Sequence, residues 1–248
     1  ELGTNGFYSL VLNIYFNSII HKVMFRIYIG YDSREDIAYQ VCKNSIITHC
    51  SDLSKVEILP LKLSELREKG LYWRGEDRLA STEFTYSRFL VPFLSNFEGV
   101  SLFIDCDTLF LDDPIKLLNL YDSQYAIQLV KHDYSPLSKF KMDGRVQTQY
   151  PRKNWSSVIL WNNSHLYNKQ LTPYIVNKES GAYLHRFEWV EDEFIGELSY
   201  EWNWLTDWYE EGSPKLLHFT EGGPWFENYR RCKYSNLWIK ELNKMFSE

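Results

Sequence analysis

The chain has 248 residues, of which 44% are hydrophobic and 17% are aromatic. This much apolar surface excludes an intrinsically disordered chain and predicts a globular protein with a sizeable core. The formal net charge is -6, whereas proteins that bind duplex nucleic acids carry an excess of basic residues, so we expect no nucleic-acid partner. A few local cations still suffice to bind a single nucleotide diphosphate.

The N-terminal segment differs from the rest of the chain in that it contains a short apolar run. Residues 7–20 form an apolar run of 14 residues that is too short to span a bilayer and has no Lys or Arg before it. We interpret residues 1–23 as a non-native or upstream extension, with a membrane-surface anchor as the alternative, and residues 24–248 as a single domain. The four cysteines show no metal-knuckle spacing and indicate reduced thiols, so we expect a cytoplasmic protein.

From Met24 onward, strand-like and helical segments alternate. The pattern predicts strands over residues 25–30, 56–59 and 101–104, and helices through residue 47, over 64–69 and around 83–94. In the second half it predicts strands near 125–130, 157–161 and 215–219, and helices near 190–196 and from 237 onward. This alternation predicts an α/β fold whose sheet has helices on both faces, with long aromatic loops in the C-terminal half. In such sheets, ligands bind at the carboxyl ends of the strands.

The sharpest motif is FIDCDTLFLDD, in which an apolar strand ends at Asp105 and Asp107 follows two residues later. Alternate residues at a strand end point both carboxylates to one side, and hard divalent cations prefer oxygen ligands. The motif therefore favours Asp105 and Asp107 as metal ligands. The alternative is a turn in which aspartate hydrogen-bonds to the backbone.

A second motif, LLHFTEGGPWF, places His218 at the end of a short strand and follows it with Gly222 and Gly223. The glycines allow the backbone to approach an anion closely, and imidazole together with carboxylates suits Mn²⁺. The alternative is a hydrogen-bonded structural histidine. Taken alone, the motif favours the structural role, whereas the family resemblance described below implies that His218 shares one cation with Asp105 and Asp107.

Other charged residues are candidates for contact with a substrate. Arg88 lies in an otherwise apolar helical segment, where a guanidinium needs an anionic partner, either a structural carboxylate or a bound ligand. Arg152 and Lys153 form either a solvated basic loop or a phosphate clamp. The acidic run 191–193 is typical of a helix N-terminus, yet it offers the best carboxylates for facing a reacting sugar.

In this order, the motifs resemble glycosyltransferase family 8, the galactosyl- and glucosyltransferases related to lipopolysaccharide-core enzymes and glycogenin, over residues 24–238. The resemblance implies a Rossmann-like domain of the GT-A type with a mostly parallel central sheet. The family's nucleotide turn is matched by Tyr31, Asp32, Ser33 and Arg34, and its helix arginine is matched by Arg88. Its metal motif is matched by Asp105 and Asp107, and the strand that lines the donor sugar is matched by Asn154, Ser156 and Ser157. Its acidic motif is matched by Glu191, Asp192 and Glu193, and its histidine turn is matched by His218, Gly222, Pro224 and Trp225.

The resemblance also implies the chemistry. It implies UDP-hexose as the nucleotide-sugar donor, Mn²⁺ or Mg²⁺ as the metal, a saccharide or glycolipid hydroxyl as the acceptor, and retention of configuration. On this basis the guanidinium group of Arg88 supplies a fixed positive charge beside the diphosphate, and the carboxylate of Asp192 stabilises positive charge at the anomeric carbon. The chain departs from the family at Gly223, where the family has Lys, and at Asp192, where it has Gln. Arg152, Lys153 and Lys215 are the candidates to replace that lysine.

Two other protein classes stay open. A sugar-nucleotide pyrophosphorylase also combines an α/β nucleotide fold with metal-binding carboxylates, but it has a Gly-rich basic loop after the first strand, unlike YIGYDSRED. A non-catalytic carbohydrate-binding protein explains the aromatic residues without needing the metal motif. The candidates for stacking on sugar faces are the tryptophans at 73, 202, 204 and 225, and the alternative is that they are core or loop-packing residues.

Overall fold

The computed structural model of the chain describes residues 24–75, 77, 80–133 and 152–247. Residues 1–23, which we interpret as an extension, lie outside these ranges. No helix within them is long and apolar enough to cross a membrane.

The centre of the described chain is a six-stranded sheet. Its strands are β1 (Phe25–Gly30), β2 (Val56–Leu61), β3 (Val100–Ile104), β5 (Ile127–Leu129), β6 (Val158–Asn162) and β7 (Ile195–Glu197). They lie in the order β2-β1-β3-β6-β5-β7, and only β6 runs opposite to the other strands of this sheet. The predicted mostly parallel α/β sheet is confirmed, and the carboxyl ends of β1, β3, β5 and β7 meet at one edge.

A smaller sheet of three strands, again counted over the described ranges, lies beside that edge. It consists of β4 (Thr108–Phe110), β8 (Trp204–Leu205) and β9 (Leu216–His218). The middle strand, β9, is antiparallel to β4 and parallel to β8. Because β4 follows β3 directly along the chain, residues 105–107 connect the two sheets.

Helices cover both sheets. They are α1 (Asp36–His49), α2 (Leu63–Glu68), α3 (Val91–Leu94), α4 (Ile115–Leu118), α5 (Pro173–Lys178), α6 (Gly181–His185) and α7 (Ser235–Lys244). Val41 of α1 and Trp238 of α7 are buried in one apolar cluster with Leu109, Trp204 and Leu217 of the smaller sheet. This packing fixes the smaller sheet, and with it the histidine at the end of β9.

The helix predicted near residues 190–196 is wrong. The chain forms a 3-10 turn over Asp192–Phe194 and then enters β7. Ile195 is buried and pairs with Ile127 of β5, so burial of a β-branched residue in a parallel sheet overrides the local pattern. The helix predicted around 83–94 is shorter than expected and consists of a 3-10 turn over Ser87–Leu90 followed by α3.

Two of the four candidate tryptophans belong to the core. Trp202 and Trp204 are 2% and 0% exposed, so the expectation that they stack on sugars is wrong. Both lie where the chain enters β8. Trp202 packs in the core of the larger sheet, and Trp204 packs in the core of the smaller sheet. Trp73 is 47% exposed.

Candidate active site

Asp105, Asp107 and His218 converge at the carboxyl end of β3. Each offers one ligand atom, and these atoms all lie within 4.8 Å of one another. Strand pairing explains the convergence, because His218 pairs with Thr108, the residue that follows Asp107. The Nε2 atom of His218 lies 3.3 Å from Oδ1 of Asp107.

This donor set fits a divalent cation. Two carboxylates and an imidazole suit Mn²⁺, and carboxylates suit Mg²⁺. The Oδ1 atom of Asp107 is buried and accepts no well-aligned hydrogen bond among the described residues. A bound cation would therefore stabilise a carboxylate oxygen that is shielded from solvent. Burial alone lowers the pKa of His218, but the Asp107 carboxylate outweighs it and the pKa is raised. The group therefore carries an excess of negative charge.

Arg88 holds Asp105 in place. Its buried guanidinium donates from Nη1 to Oδ1 of Asp105 at 2.8 Å and to the backbone oxygen of Ser156 at 2.9 Å. The anionic partner that the sequence required for this arginine is therefore Asp105. The contact with the donor and the catalytic role assigned to Arg88 stay predictions.

The turn after β1 is organised around Asp32. Its carboxylate is fully buried and accepts hydrogen bonds from the backbone and guanidinium of Arg34 and from the amide of Glu83. Burial raises the pKa of Asp32, but these hydrogen bonds outweigh it and hold the pKa below its ordinary value. Ser33 hydrogen-bonds to Glu83, and Tyr31 packs against α1. The result is a fixed turn beside the metal-binding group, since β1 and β3 are neighbours.

The segment at residues 154–157 lies between Arg88 and the histidine. Asn154 has a left-handed backbone with φ 64°, and its Nδ2 is buried without a hydrogen-bond partner among the described residues. Its carbonyl oxygen accepts from Oγ of Ser157 at 2.7 Å and from Nδ2 of Asn203 at 3.3 Å. The predicted donor contacts Asn154 and Ser156 therefore lie beside the metal-binding group.

The turn after β9 contains the two predicted glycines. Gly222 has φ 142°, a conformation that favours glycine. A Cβ atom on Gly223 would overlap the ring of Trp225, so the missing family lysine has no room here without rearrangement. Trp225 donates from Nε1 to Oε2 of Glu35 at 3.2 Å, which joins this turn to the turn after β1.

Asp192 does not belong to the metal-binding group that the described residues form. Its side chain is 77% exposed and pairs with Nη2 of Arg152 at 2.5 Å. Its role at the anomeric centre stays a prediction. Of the cations considered in place of the lysine, Lys153 is buried, whereas Lys215 pairs with Glu201 at 2.8 Å.

Glu35 is a site residue that the sequence did not single out. Burial, reinforced by the negative charges of Asp107 and Asp32, raises the pKa of Glu35 to about 8. The available signal was its position in a polar turn directly after a strand, next to the predicted contact Arg34. The carboxyl is therefore held near the metal-binding group in an environment that disfavours a third negative charge.

We expect Glu35 to make the metal-free protein less stable as the pH rises. Its folded-state pKa of about 8 exceeds its ordinary 4.5, so ionisation costs more in the fold than in the unfolded chain across this window. Thermal unfolding should show a smaller fall in Tm between about pH 5 and about pH 8 for Glu35→Gln than for the wild type. Identical pH profiles for the two proteins would show that Glu35 does not carry the effect.

A cavity of about 320 Å³ opens at the carboxyl ends of β5 and β7. Its lining includes Lys131, Glu197, Ser199, Tyr200 and Tyr209. The rings of Tyr200 and Tyr209 pack with their centroids 5.0 Å apart. Because β5 and β7 lie on the far side of β3 from β1, the metal-binding group separates this cavity from the turn after β1.

One sequence relative is similar over nearly the whole chain. Protein CDI from Arabidopsis thaliana is 49% identical over 238 residues, which cover 94% of this chain and 91% of that protein. No protein-family model matches the chain.

Several solved structures share the fold. The apo structure of the bifunctional glycosyltransferase WbbM has a TM-score of 0.63 at 16% identity and covers 90% of this chain and 50% of that one. Apo GlyE from Streptococcus pneumoniae has a TM-score of 0.58 at 15% identity, covering 91% and 63%. The galactosyltransferase LgtC, in complex with donor and acceptor sugar analogues, has a TM-score of 0.54 at 11% identity, covering 89% and 96%.

These likenesses show that the chain has the fold of GT-A glycosyltransferases. The chain spans about half the length of WbbM and less than two thirds of GlyE. The resemblance to family 8 within that fold stays a prediction.

Proposed function

The chain belongs to the same family as Protein CDI of Arabidopsis thaliana, and we propose that it is a metal-dependent glycosyltransferase. It moves a hexose from a nucleotide sugar, UDP-hexose, to a hydroxyl group of a saccharide or glycolipid, with retention of configuration. The observation that carries the proposal is the meeting of Asp105, Asp107 and His218 within 4.8 Å at the edge where α/β sheets bind ligands. The GT-A fold supports it. We propose the cytoplasm as its compartment, in keeping with the four free cysteines.

Asp105, Asp107 and His218 hold the cation, Mn²⁺ or Mg²⁺. When bound, the cation supplies Lewis-acid neutralisation of the donor's diphosphate. Arg88 keeps Asp105 oriented through its 2.8 Å ion pair and adds a fixed positive charge beside the acids. Asp107 contributes a buried oxygen that accepts no well-aligned hydrogen bond among the described residues.

The nucleotide lies over the turn after β1, where Tyr31, Ser33 and Arg34 are its proposed contacts. Asp32 acts differently, because its carboxylate is already engaged with Arg34 and the amide of Glu83 and so preserves the shape of the turn.

The proposed contacts of the diphosphate and the hexose flank the cation's ligands. Asn154 offers a buried amide nitrogen that is unpaired among the described residues, beside Ser156. The turn at Gly222 and Gly223 is the proposed backbone contact of the diphosphate. Both glycines are buried, and the ring of Trp225 lies against Gly223. Asp192 remains our candidate for the carboxylate facing the sugar, and it must leave Arg152 to act there.

We assign the acceptor to the cavity at the ends of β5 and β7. Ligand pockets commonly measure about 300–1,000 Å³, so a volume of about 320 Å³ suits the end of a saccharide chain. Tyr200 and Tyr209 offer ring faces for a sugar, and Lys131 and Glu197 offer polar partners. With the nucleotide over β1 and the acceptor over β5 and β7, the reacting bond lies at the metal-binding group between them.

The test is release of the nucleoside diphosphate from a panel of UDP- and GDP-sugars. We expect slow hydrolysis of one UDP-hexose that requires Mn²⁺ or Mg²⁺, stops with EDTA, and accelerates when a suitable saccharide is added. A reaction that requires pyrophosphate or a nucleoside triphosphate would instead identify a nucleotidyltransferase. Saccharide binding without any turnover would identify a carbohydrate-binding protein.

A further inference from the structure

Asn203 is a fully buried asparagine that contacts the imidazole of the metal-binding group. Its Oδ1 lies 2.9 Å from Nδ1 of His218. Its Nδ2 lies 2.9 Å from Oγ of Ser157 and 3.3 Å from the backbone oxygen of Asn154. The nitrogen of His218 that it contacts is the one that faces away from Asp107, because Nε2 is the atom near that carboxylate.

The donors and acceptors of these hydrogen bonds can be assigned in only one way. The backbone oxygen of Asn154 can only accept, so the hydroxyl of Ser157 donates to it at 2.7 Å. The lone pairs of that hydroxyl then accept from Nδ2 of Asn203. Turning the amide around would set Oδ1 of Asn203 against the carbonyl oxygen of Asn154, which is a clash of two acceptors. The amide oxygen therefore faces His218, and Nδ1 of His218 carries the hydrogen.

We infer that Asn203 is a positioning residue that fixes the tautomer of His218. With the hydrogen on Nδ1, Nε2 presents its lone pair to the cation site beside Asp107. A neutral imidazole binds a metal through one nitrogen, and the hydrogen bond made by the other nitrogen decides which one. This inference rests on the proposed metal-dependent function.

The same turn at residues 154–157 also anchors the acids. Arg88 bridges Oδ1 of Asp105 and the backbone oxygen of Ser156, and the amide of Asp105 donates to the backbone oxygen of Ser157 at 2.9 Å. Both the imidazole and the first acid are thus tied to four consecutive residues. Asn203 is the part of this arrangement that reaches the imidazole.

The first experiment measures Mn²⁺ affinity by calorimetry on the full chain without nucleotide. We expect Asn203→Leu to bind Mn²⁺ about 10–100-fold more weakly than the wild type, the range found when a group that supports a metal ligand is removed. The matched control is Asn168→Leu. Asn168 is equally buried and donates to the backbone oxygens of Ala126 and Asn162, away from the metal-binding group. That control should lose stability and keep its Mn²⁺ affinity.

The second experiment needs no variant and therefore holds even if Asn203→Leu fails to fold. With Mg²⁺ bound, ¹⁵N-histidine NMR of the wild type should show the ring of His218 protonated on Nδ1 and unprotonated on Nε2. A ring protonated on Nε2 would overturn the inference. So would an Asn203→Leu variant that binds Mn²⁺ as tightly as the wild type, with the metal site intact. A wild type that binds no cation at all would overturn the proposed function as well.

Discussion

Replacing Arg88 with Met lowers the free energy of unfolding by about 3–5 kcal/mol, because breaking a buried ion pair leaves the remaining charge without compensation. The side chains of Arg88 and Asp105 are 6% and 14% exposed, and 2.8 Å separates Nη1 from Oδ1. The variant also loses the bond to the backbone oxygen of Ser156. Urea unfolding of the metal-free protein measures the loss.

Two controls make this result specific. Arg26→Met removes an arginine from a half-exposed pair with Glu57 at 3.3 Å, and should cost no more than about 1 kcal/mol. Adding Asp105→Asn to Arg88→Met should recover part of the loss, because a buried amide costs less than a buried carboxylate. If Arg88→Met costs no more than Arg26→Met, Arg88 does not hold Asp105.

Replacing Asp107 with Asn lowers kcat/KM for the UDP-hexose at least about 100-fold, because loss of an anionic ligand removes metal stabilisation worth several kcal/mol. Asparagine has nearly the same shape, and Oδ1 of Asp107 makes no well-aligned hydrogen bond among the described residues. The metal-free variant loses the 3.3 Å contact between this carboxylate and Nε2 of His218, and it also loses a negative charge beside Glu35, so we expect its Tm to stay close to that of the wild type. UDP release and thermal unfolding on the same preparation measure both effects.

Asp112→Asn is the matched control for this variant. Asp112 pairs with Lys116 at 2.7 Å on the surface of the same segment, outside the metal-binding group. Its replacement should leave UDP release within about twofold of the wild type, as expected for an exposed ion pair. An Asp107→Asn enzyme as active as this control would remove Asp107 from the mechanism.

The sequence predicted the metal-binding group because its residues stand at the ends of apolar runs. Asp105 ends the run SLFI and His218 ends a second short strand, and the carboxyl end of a strand is where α/β folds bind ligands. The sequence alone indicated that Asp105 and His218 each stand at the end of a strand, but not that the two strand ends lie side by side. Only the pairing of β9 with β4 placed the imidazole beside the acids.

The contacts that support this group were not predictable in the same way. Asn203 stands between two buried tryptophans, and its partners Ser157 and Asn154 lie more than forty positions earlier in the chain. A polar residue within a buried aromatic run was the available signal. The raised pKa of Glu35 likewise depends on the approach of Asp107, which is a tertiary contact.

Strand order accounts for the remaining differences. The insertion of β6 between β3 and β5 places the cavity across the metal-binding group from β1, and no local pattern encodes that order. The local sequence pattern after Asp192 predicts a helix, but the segment forms an edge strand because Ile195 is buried beside β5. Short elements are decided by what they pack against rather than by their own periodicity.

The most direct test of the metal-binding group is calorimetric titration of UDP into the wild type and into Asp107→Asn, each with Mn²⁺ and with EDTA. We expect UDP to bind the wild type tightly only with Mn²⁺, and Asp107→Asn to lose most of this metal-dependent gain in affinity. UDP affinity that is the same in all four titrations would contradict a cation held by Asp105, Asp107 and His218.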